Sequence, residues 1–215
     1  MTREERSRTV IVAISGGSCS GKTSLARAVA GAAPCPGGIV IALDSYYRDL
    51  AHLPEAKRVA SNFDHPDALE LDLFERDIGL IASGGEALIP AYDYVTHTRR
   101  PREEWRKIPP VPGGDERLVV VEGLHALLSA RARALYDLKV FIDLDRGASL
   151  RRRLERDVRE RGREEEEVIS RFEKDVLPMF EKFVLPCTGY ADLVIDGRRP
   201  VEESAAEVAA ALRVR

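Results

Sequence analysis

The chain predicts an α/β domain: a parallel sheet of about five strands with helices on both faces, a small β-hairpin insertion and a helical lid. Three observations carry this. Short, apolar, β-branched runs alternate with segments of helical length. That alternation demands parallel strands joined by right-handed crossovers. A Gly/Ser-rich loop connects the first run directly to an Ala/Leu-rich segment, and 215 residues suffice for one well-buried core with a small excursion.

Residues 9–14 read as a strand buried on both faces, and the loop from Gly16 to Gly21 follows. Residues 22–33 read as a helix stopped by Pro34, Pro36 and Gly37-Gly38. Residues 39–43 form a second strand ending at Asp44, and residues 48–66 are loop with one short helix. An amphipathic helix over 69–82 closes at Ser83-Gly84-Gly85. Residues 86–94 alternate around Pro90 as part of a hairpin off the main sheet, and 98–114 are a polar, Pro-rich excursion, so 86–114 is the insertion. Strands at 118–122 and 139–143 flank a helix at 126–135. Helices at 148–160 and 164–184 are separated by Arg161-Gly162-Arg163, with a kink expected at Pro178 and a lid over 151–171. A fifth strand at 193–195 and a helix at 201–212 complete one domain spanning 1–215, with residues 1–8 expected to be disordered.

The composition, 44% hydrophobic and 32% charged with net charge −3, is that of an ordinary globular protein. No overall basic field points to nucleic acid or an anionic membrane. No apolar run approaches the roughly 18–20 residues that span a bilayer, and the charged first eight residues do not resemble a signal peptide. Cys19, Cys35 and Cys187 make neither a zinc pattern nor a paired disulfide framework. A cytoplasmic location is the expectation.

Gly16-Gly17-Ser18-Cys19-Ser20-Gly21-Lys22-Thr23 fits G-x-x-x-x-G-K-[ST] between a strand and a helix. Glycines let the backbone wrap a phosphate, so that successive N–H groups point inward at the positive end of a helix. Lys22 places a charge on the β- and γ-phosphates, and the Thr23 hydroxyl ligates Mg²⁺. With Ser24 in the same first turn, these residues are the expected site for ATP or GTP with Mg²⁺.

Ligands bind such sheets at the carboxyl ends of the strands. Asp44 and Glu122 follow two strands there, where a carboxylate can hold Mg²⁺ or accept a proton from an attacking hydroxyl. Asp44 is assigned as base and metal ligand, Glu122 as metal ligand; the alternative is that each caps the following turn. Asp143 and Asp145 read as turn formers.

Four further motifs follow in order: Asp44-Ser45-Tyr46-Tyr47-Arg48, Asn62-Phe63-Asp64-His65-Pro66-Asp67-Ala68, Tyr92-Asp93-Tyr94-Val95-Thr96-His97-Thr98-Arg99 and Glu160-Arg161-Gly162-Arg163. With the phosphate loop, and with Pro186 and Tyr190-Ala191-Asp192, they resemble the uridine–cytidine kinase family over nearly the whole chain. The resemblance implies transfer of the γ-phosphate to the 5′-hydroxyl of uridine or cytidine, activated by Asp44. Asp64 would hold the ribose hydroxyls. Phe63, Tyr47, Tyr92, Tyr94 and His97 would form the pyrimidine pocket. Arg153 and Arg156 would approach phosphates, and Arg161 and Arg163 would ride on the lid. Family analogy also implies a homo-oligomer, tetramer or dimer.

These roles make chemical sense. One carboxylate can accept from two adjacent hydroxyls, a flat base needs aromatic faces, and arginines neutralise charge spreading over a transferring phosphoryl group. Blander readings stay open. Tyr92 or Tyr94 could be core rather than pocket. The 151–163 arginines could be a solvated face paired with Glu155, Asp157 and Glu160. Leu177, Phe180 and Val184 have core spacing.

Two departures from the family pattern bear on specificity. Arg171 stands where relatives carry a base-reading glutamine, and an arginine offers donors only. Asp196-Gly197-Arg198-Arg199 replaces the usual Pro-Arg-Gly-Gly. Glu122-Gly123-Leu124-His125 resembles phosphoribulokinases, so a sugar-phosphate acceptor is the second reading. A P-loop regulatory ATPase and an inactive binding module are the competing classes. The lack of Asn-Lys-x-Asp argues against a GTPase switch, and intact Lys22, Thr23, Asp44 and Asp64 argue against a dead enzyme.

Overall fold

Odd and even residues of the first strand enter different cores, which makes it the middle of the structure. The computed structural model describes residues 8–32 and 38–213. In chain order the elements are β1 (Arg8–Gly16), α1 (Lys22–Gly31), β2 (Ile39–Ala42), α2 (Glu55–Val59), α3 (Leu71–Ala82), β3 (Ala87–Ile89), β4 (Tyr92–Asp93), β5 (Thr98–Arg99), β6 (Arg106–Ile108), β7 (Glu116–Glu122), α4 (Ala130–Arg133), β8 (Leu138–Asp143), α5 (Arg146–Arg161), α6 (Glu165–Arg171), α7 (Leu177–Met179), β9 (Leu193–Asp196) and α8 (Val201–Arg213). The main sheet has five strands in the order β2-β7-β1-β8-β9, all parallel.

Ile11 and Ala13 of β1, Val119 and Val121 of β7 and Phe141 of β8 pack with Phe74, Ile78 and Ile81 of α3. Val12, Ile14, Val120, Val140 and Ile142 point the other way, onto Leu25, Ala26 and Val29 of α1 and Ala205 and Val208 of α8. The period-2 alternation of a strand thus serves two cores, and each fully buried Val or Ile contributes roughly 1.5–3 kcal/mol. Phosphate loop, Asp44 and Glu122 all lie at the carboxyl edge of this sheet.

Several elements differ from expectation. Arg8, assigned to a disordered start, pairs with Glu116 in β1, while residues 1–7 and the helix stop at Pro34, Pro36 and Gly37 lie outside the described residues. The insertion is two ribbons rather than one hairpin: β3 pairs with β6, and β4 with β5. The polar stretch after residue 98 therefore supplies two partner strands, whose pairing partners no local period reveals. The helix expected over 126–135 shrinks to α4, capped by the Ser129 hydroxyl accepting from the Ala132 N–H. Ala126 and Leu127 before it are buried in turns instead. At Pro178 the irregularity takes the form of π turns at Phe172–Val176 and Phe180–Val184, which flank α7 and accommodate the missing N–H.

Candidate functional site

The phosphate cradle begins where β1 ends. At Gly16, φ is +151°, and a Cβ would lie 2.5 Å from the Ile142 carbonyl oxygen, so only glycine fits. Cys19 (φ 57°) and Gly21 (φ 98°) adopt left-handed backbone, which curls the loop into the start of α1. Ser20 is buried, and its hydroxyl has no hydrogen-bond partner among the described residues. The Lys22 ammonium folds back and donates to the Gly17 carbonyl at 2.6 Å. Burial pushes its pKa down, while Glu122, Asp44, Cys19 and Asp64 act in the opposite sense. Ser24 is exposed in the first turn of α1. Phe180 lies over the loop, its ring 3.2 Å from where a Gly17 Cβ would stand, and Val184 is core as its spacing predicts.

Carboxylates converge beside the cradle. The Thr23 hydroxyl donates to Glu122 at 3.0 Å, tying the start of α1 to the end of β7. Asp44 sits in a 3₁₀ turn (Leu43–Tyr46) directly after β2. Burial, then the neighbouring Glu122, push its pKa up to about 6 against the pull of Lys22 and a hydrogen bond from the Tyr47 hydroxyl. Two facing carboxylates and a hydroxyl fit a divalent cation. Among the described residues no three or more His, Cys, Asp or Glu side chains form a metal cage. Mg²⁺ keeps waters and shares nucleotide phosphates with few protein ligands. Thr23, Asp44 and Glu122 would hold it. Asp145, expected as a turn former, caps α5 by accepting from the Ala148 N–H at 2.9 Å.

On the other side of Asp44 lies an aromatic wall. Tyr47 packs edge-on to Phe63 at 5.1 Å and tilted to Tyr92 at 5.5 Å. Phe63 stacks on His97 at 4.8 Å, and Tyr92 meets Tyr94 at 5.5 Å. The core position is Tyr92, at 7% exposure, and not Tyr94, which is 56% exposed. The strand ends at Asp93, so Tyr94 has left the pleat that would have decided its side. Its hydroxyl bonds to Ser45, and Asp44 acts on it. Burial, then Arg163, Arg171 and Arg58, hold His97 below its ordinary pKa.

Asp64 lies within electrostatic reach of Lys22 and Asp44. Burial raises its pKa, opposed by Arg153 and Lys22 and reinforced by Asp44 and Asp175. Arg171 spends its guanidinium on backbone, donating to the Val59 and Ser61 carbonyls that lead into Asn62-Phe63-Asp64. Gly197, in the atypical segment after β9, donates to the Asp143 carbonyl at 2.7 Å, and a Cβ on it would lie 3.0 Å from the Ser20 carbonyl oxygen.

The α5 arginines reach the cradle. Arg153 donates to the Ser18 hydroxyl at 3.0 Å and Arg152 to the Cys19 carbonyl at 3.3 Å. Arg153, Arg156, Arg161 and Arg163 all surround Asp157, which is fully buried. The solvated face paired along its length is thus corrected: the ion pairs converge on one buried acid. Two residues that motif reading left without a role emerge here. Asp157 was legible only as one acid among many arginines. His125 is buried and bridges to the Asp64 carbonyl; its signal was its place in Glu122-Gly123-Leu124-His125, after a strand-end carboxylate.

The Phosphoribulokinase / Uridine kinase family profile matches residues 11–203. The chain is 38% identical over 190 residues to a uridine kinase of Streptococcus pneumoniae (strain Hungary19A-6), covering 88% of this chain and 86% of that protein. Two solved structures share the fold at lower identity. One is a kinase provisionally assigned to a fructose transport system of Silicibacter sp. TM1040, with TM-score 0.70, 20% identity, and 90% and 92% of the two chains covered. The other is a phosphoribulokinase from Rhodobacter spheroides, with TM-score 0.59, 18% identity, and 90% and 74% covered.

Proposed function

Because the chain belongs to the phosphoribulokinase/uridine kinase family, a family of kinases, we propose that it transfers the γ-phosphate of ATP or GTP to the 5′-hydroxyl of uridine or cytidine, giving UMP or CMP. The observation that carries this is the position of Asp44. It has the Lys22 side of the phosphate cradle on one hand and the Tyr47–Phe63–His97 wall with Asp64 on the other. A nucleoside lying along that wall brings its ribose to Asp64 and its 5′-hydroxyl to Asp44.

In this mechanism Asp44 accepts the hydroxyl proton as the oxygen attacks, a role suited to a carboxylate held near neutral pKa. Lys22 and the loop N–H groups hold the donor phosphates, and Arg153, Arg156, Arg161 and Arg163 meet the charge that spreads in the transition state. Thr23, Asp44 and Glu122 would hold Mg²⁺, which would supply positive charge against the donor phosphates. Asp64 accepts from the ribose hydroxyls, and Tyr47, Phe63, Tyr94 and His97 pack the base, with Tyr92 behind Tyr47. A cytoplasmic role in pyrimidine salvage and assembly as a homo-oligomer belong to the same reading.

A sugar-phosphate acceptor is the second reading, favoured by Arg163, Arg171 and Arg58 acting together on His97 at the pocket edge. A coupled assay with uridine, cytidine, ribulose 5-phosphate or no acceptor decides. Turnover with a pyrimidine nucleoside is expected. Turnover with ribulose 5-phosphate alone supports the second reading, and acceptor-independent hydrolysis refutes both.

A further inference from the structure

Asp157 has no place in the mechanism above, yet it is the most heavily paired acid among the described residues. It lies within α5 and is fully buried. Arg156 Nε donates to its Oδ1 at 2.8 Å, and Arg161 Nη1 stands 3.2 Å from the same oxygen. Its Oδ2 faces Arg153 Nε at 3.5 Å and Arg163 Nη1 at 4.0 Å, and has no hydrogen bond.

The chain is built to bring these groups together. Arg153 and Arg161 lie four residues before and after Asp157, on one helix face. Gly162, at φ 64°, ends α5 in a left-handed turn, and the Arg163 N–H donates to the Asp157 carbonyl at 3.1 Å. That turn returns Arg163 to the face it would otherwise leave. Arg153 also holds the Ser18 hydroxyl, so the cluster is docked on the phosphate loop.

We propose that Asp157 is a positioning residue that gathers Arg153, Arg156, Arg161 and Arg163 into one pre-organised cluster aimed at the donor phosphates. Four guanidinium groups so close repel one another, and without a central anion they would splay into solvent. One carboxylate suppresses that repulsion but cannot neutralise four cations, so the cluster keeps an excess positive charge for a polyanion. The two looser partners sit on the unsatisfied oxygen. They are the ones free to shift onto phosphate, while Arg156 and Arg161 stay anchored. Burial raises the pKa of Asp157, but Arg156, Arg161 and Arg153 outweigh it and hold the acid below its ordinary value, so it stays ionised throughout the working range.

The inference rests on the chain being a kinase whose arginines meet donor phosphates. It is tested on the full chain with Asp157→Asn, with Arg161→Gln, and with the two combined; the combined variant removes one cation with the anion and guards against misfolding. MgATP affinity is read by titration calorimetry, and kcat and acceptor KM by turnover. Asp157→Asn is expected to weaken MgATP binding about tenfold and to lower kcat about tenfold to a hundredfold, with acceptor KM changed by less than about twofold. In the Arg161→Gln background it should add little, because both changes break one unit. A lowered melting temperature with unchanged MgATP affinity and kcat would mean Asp157 only supports the fold, and multiplicative effects in the double variant would also overturn the proposal. If the wild type turns over no pyrimidine nucleoside, the acceptor assignment fails while MgATP affinity still reads Asp157.

Discussion

His125 Nε2 lies 2.9 Å from the carbonyl oxygen of Asp64, so the turn after β7 holds the backbone of the expected ribose-binding acid. A carbonyl only accepts, so Nε2 carries the proton, and burial keeps the ring neutral with its pKa lowered to about 4. Replacing His125 with Ala leaves that carbonyl unpaired and is expected to raise acceptor KM several-fold and to cost about 1–3 kcal/mol of stability. His125→Gln, which keeps a donor, should restore part of both; steady-state kinetics and denaturant unfolding measure them. A KM unchanged in the Ala variant would separate His125 from acceptor binding.

Asp44→Asn is expected to lower kcat by roughly 10²–10⁴, the range for a lost general base. Near-wild-type kcat in this variant would remove Asp44 from proton transfer.

The same residue sets a pH dependence of stability. Asp44 has an ordinary value of 3.8 and about 6 in the fold, so between those values the folded state binds more protons than the unfolded state. Unfolding free energy therefore carries a component that falls as pH rises through this window. With EDTA present and no nucleotide, Asp44→Asn should melt higher than the wild type at pH 7.5, and the gain should shrink toward pH 4. Equal melting temperatures at pH 7.5 would contradict the upward shift that burial and Glu122 impose on Asp44.

Glu122→Gln keeps the hydrogen bond from Thr23 but removes a charge from the proposed Mg²⁺ site. The Mg²⁺ concentration giving half-maximal rate should rise about tenfold or more, in line with the loss of one carboxylate from a site with few protein ligands. An unaltered Mg²⁺ titration would assign Glu122 to loop structure alone.

Asp64→Ala should weaken acceptor binding with little effect on MgATP affinity, because it leaves the acceptor's hydroxyls unpaired. Arg171→Gln separates two roles for one guanidinium. A changed uridine-to-cytidine ratio would place Arg171 at the base, whereas an unchanged ratio with a lowered melting temperature would leave it clamping Val59 and Ser61.

Much of this was legible in the chain because it is local. The phosphate loop, the strand periods and the break at Gly162 depend on residues within a few positions of one another. Tyr92 and Tyr94 show the limit: two positions apart, they would share one face of a continuing strand, and which one is buried depends on where β4 ends and what covers it. Likewise, β3 and β4 find partners beyond a loop whose composition reads only as polar.

Sequence alone determined the alternating architecture, the anion-binding turn and the identities of the acids at the strand ends, since backbone sterics and hydrophobic period act over short range. Only the tertiary structure decided that Asp44 faces Glu122, that His125 reaches Asp64 across 61 positions, and that four arginines share Asp157. Those relations depend on burial and on charges meeting across distant segments, and their strength is set by how much water the surrounding fold excludes.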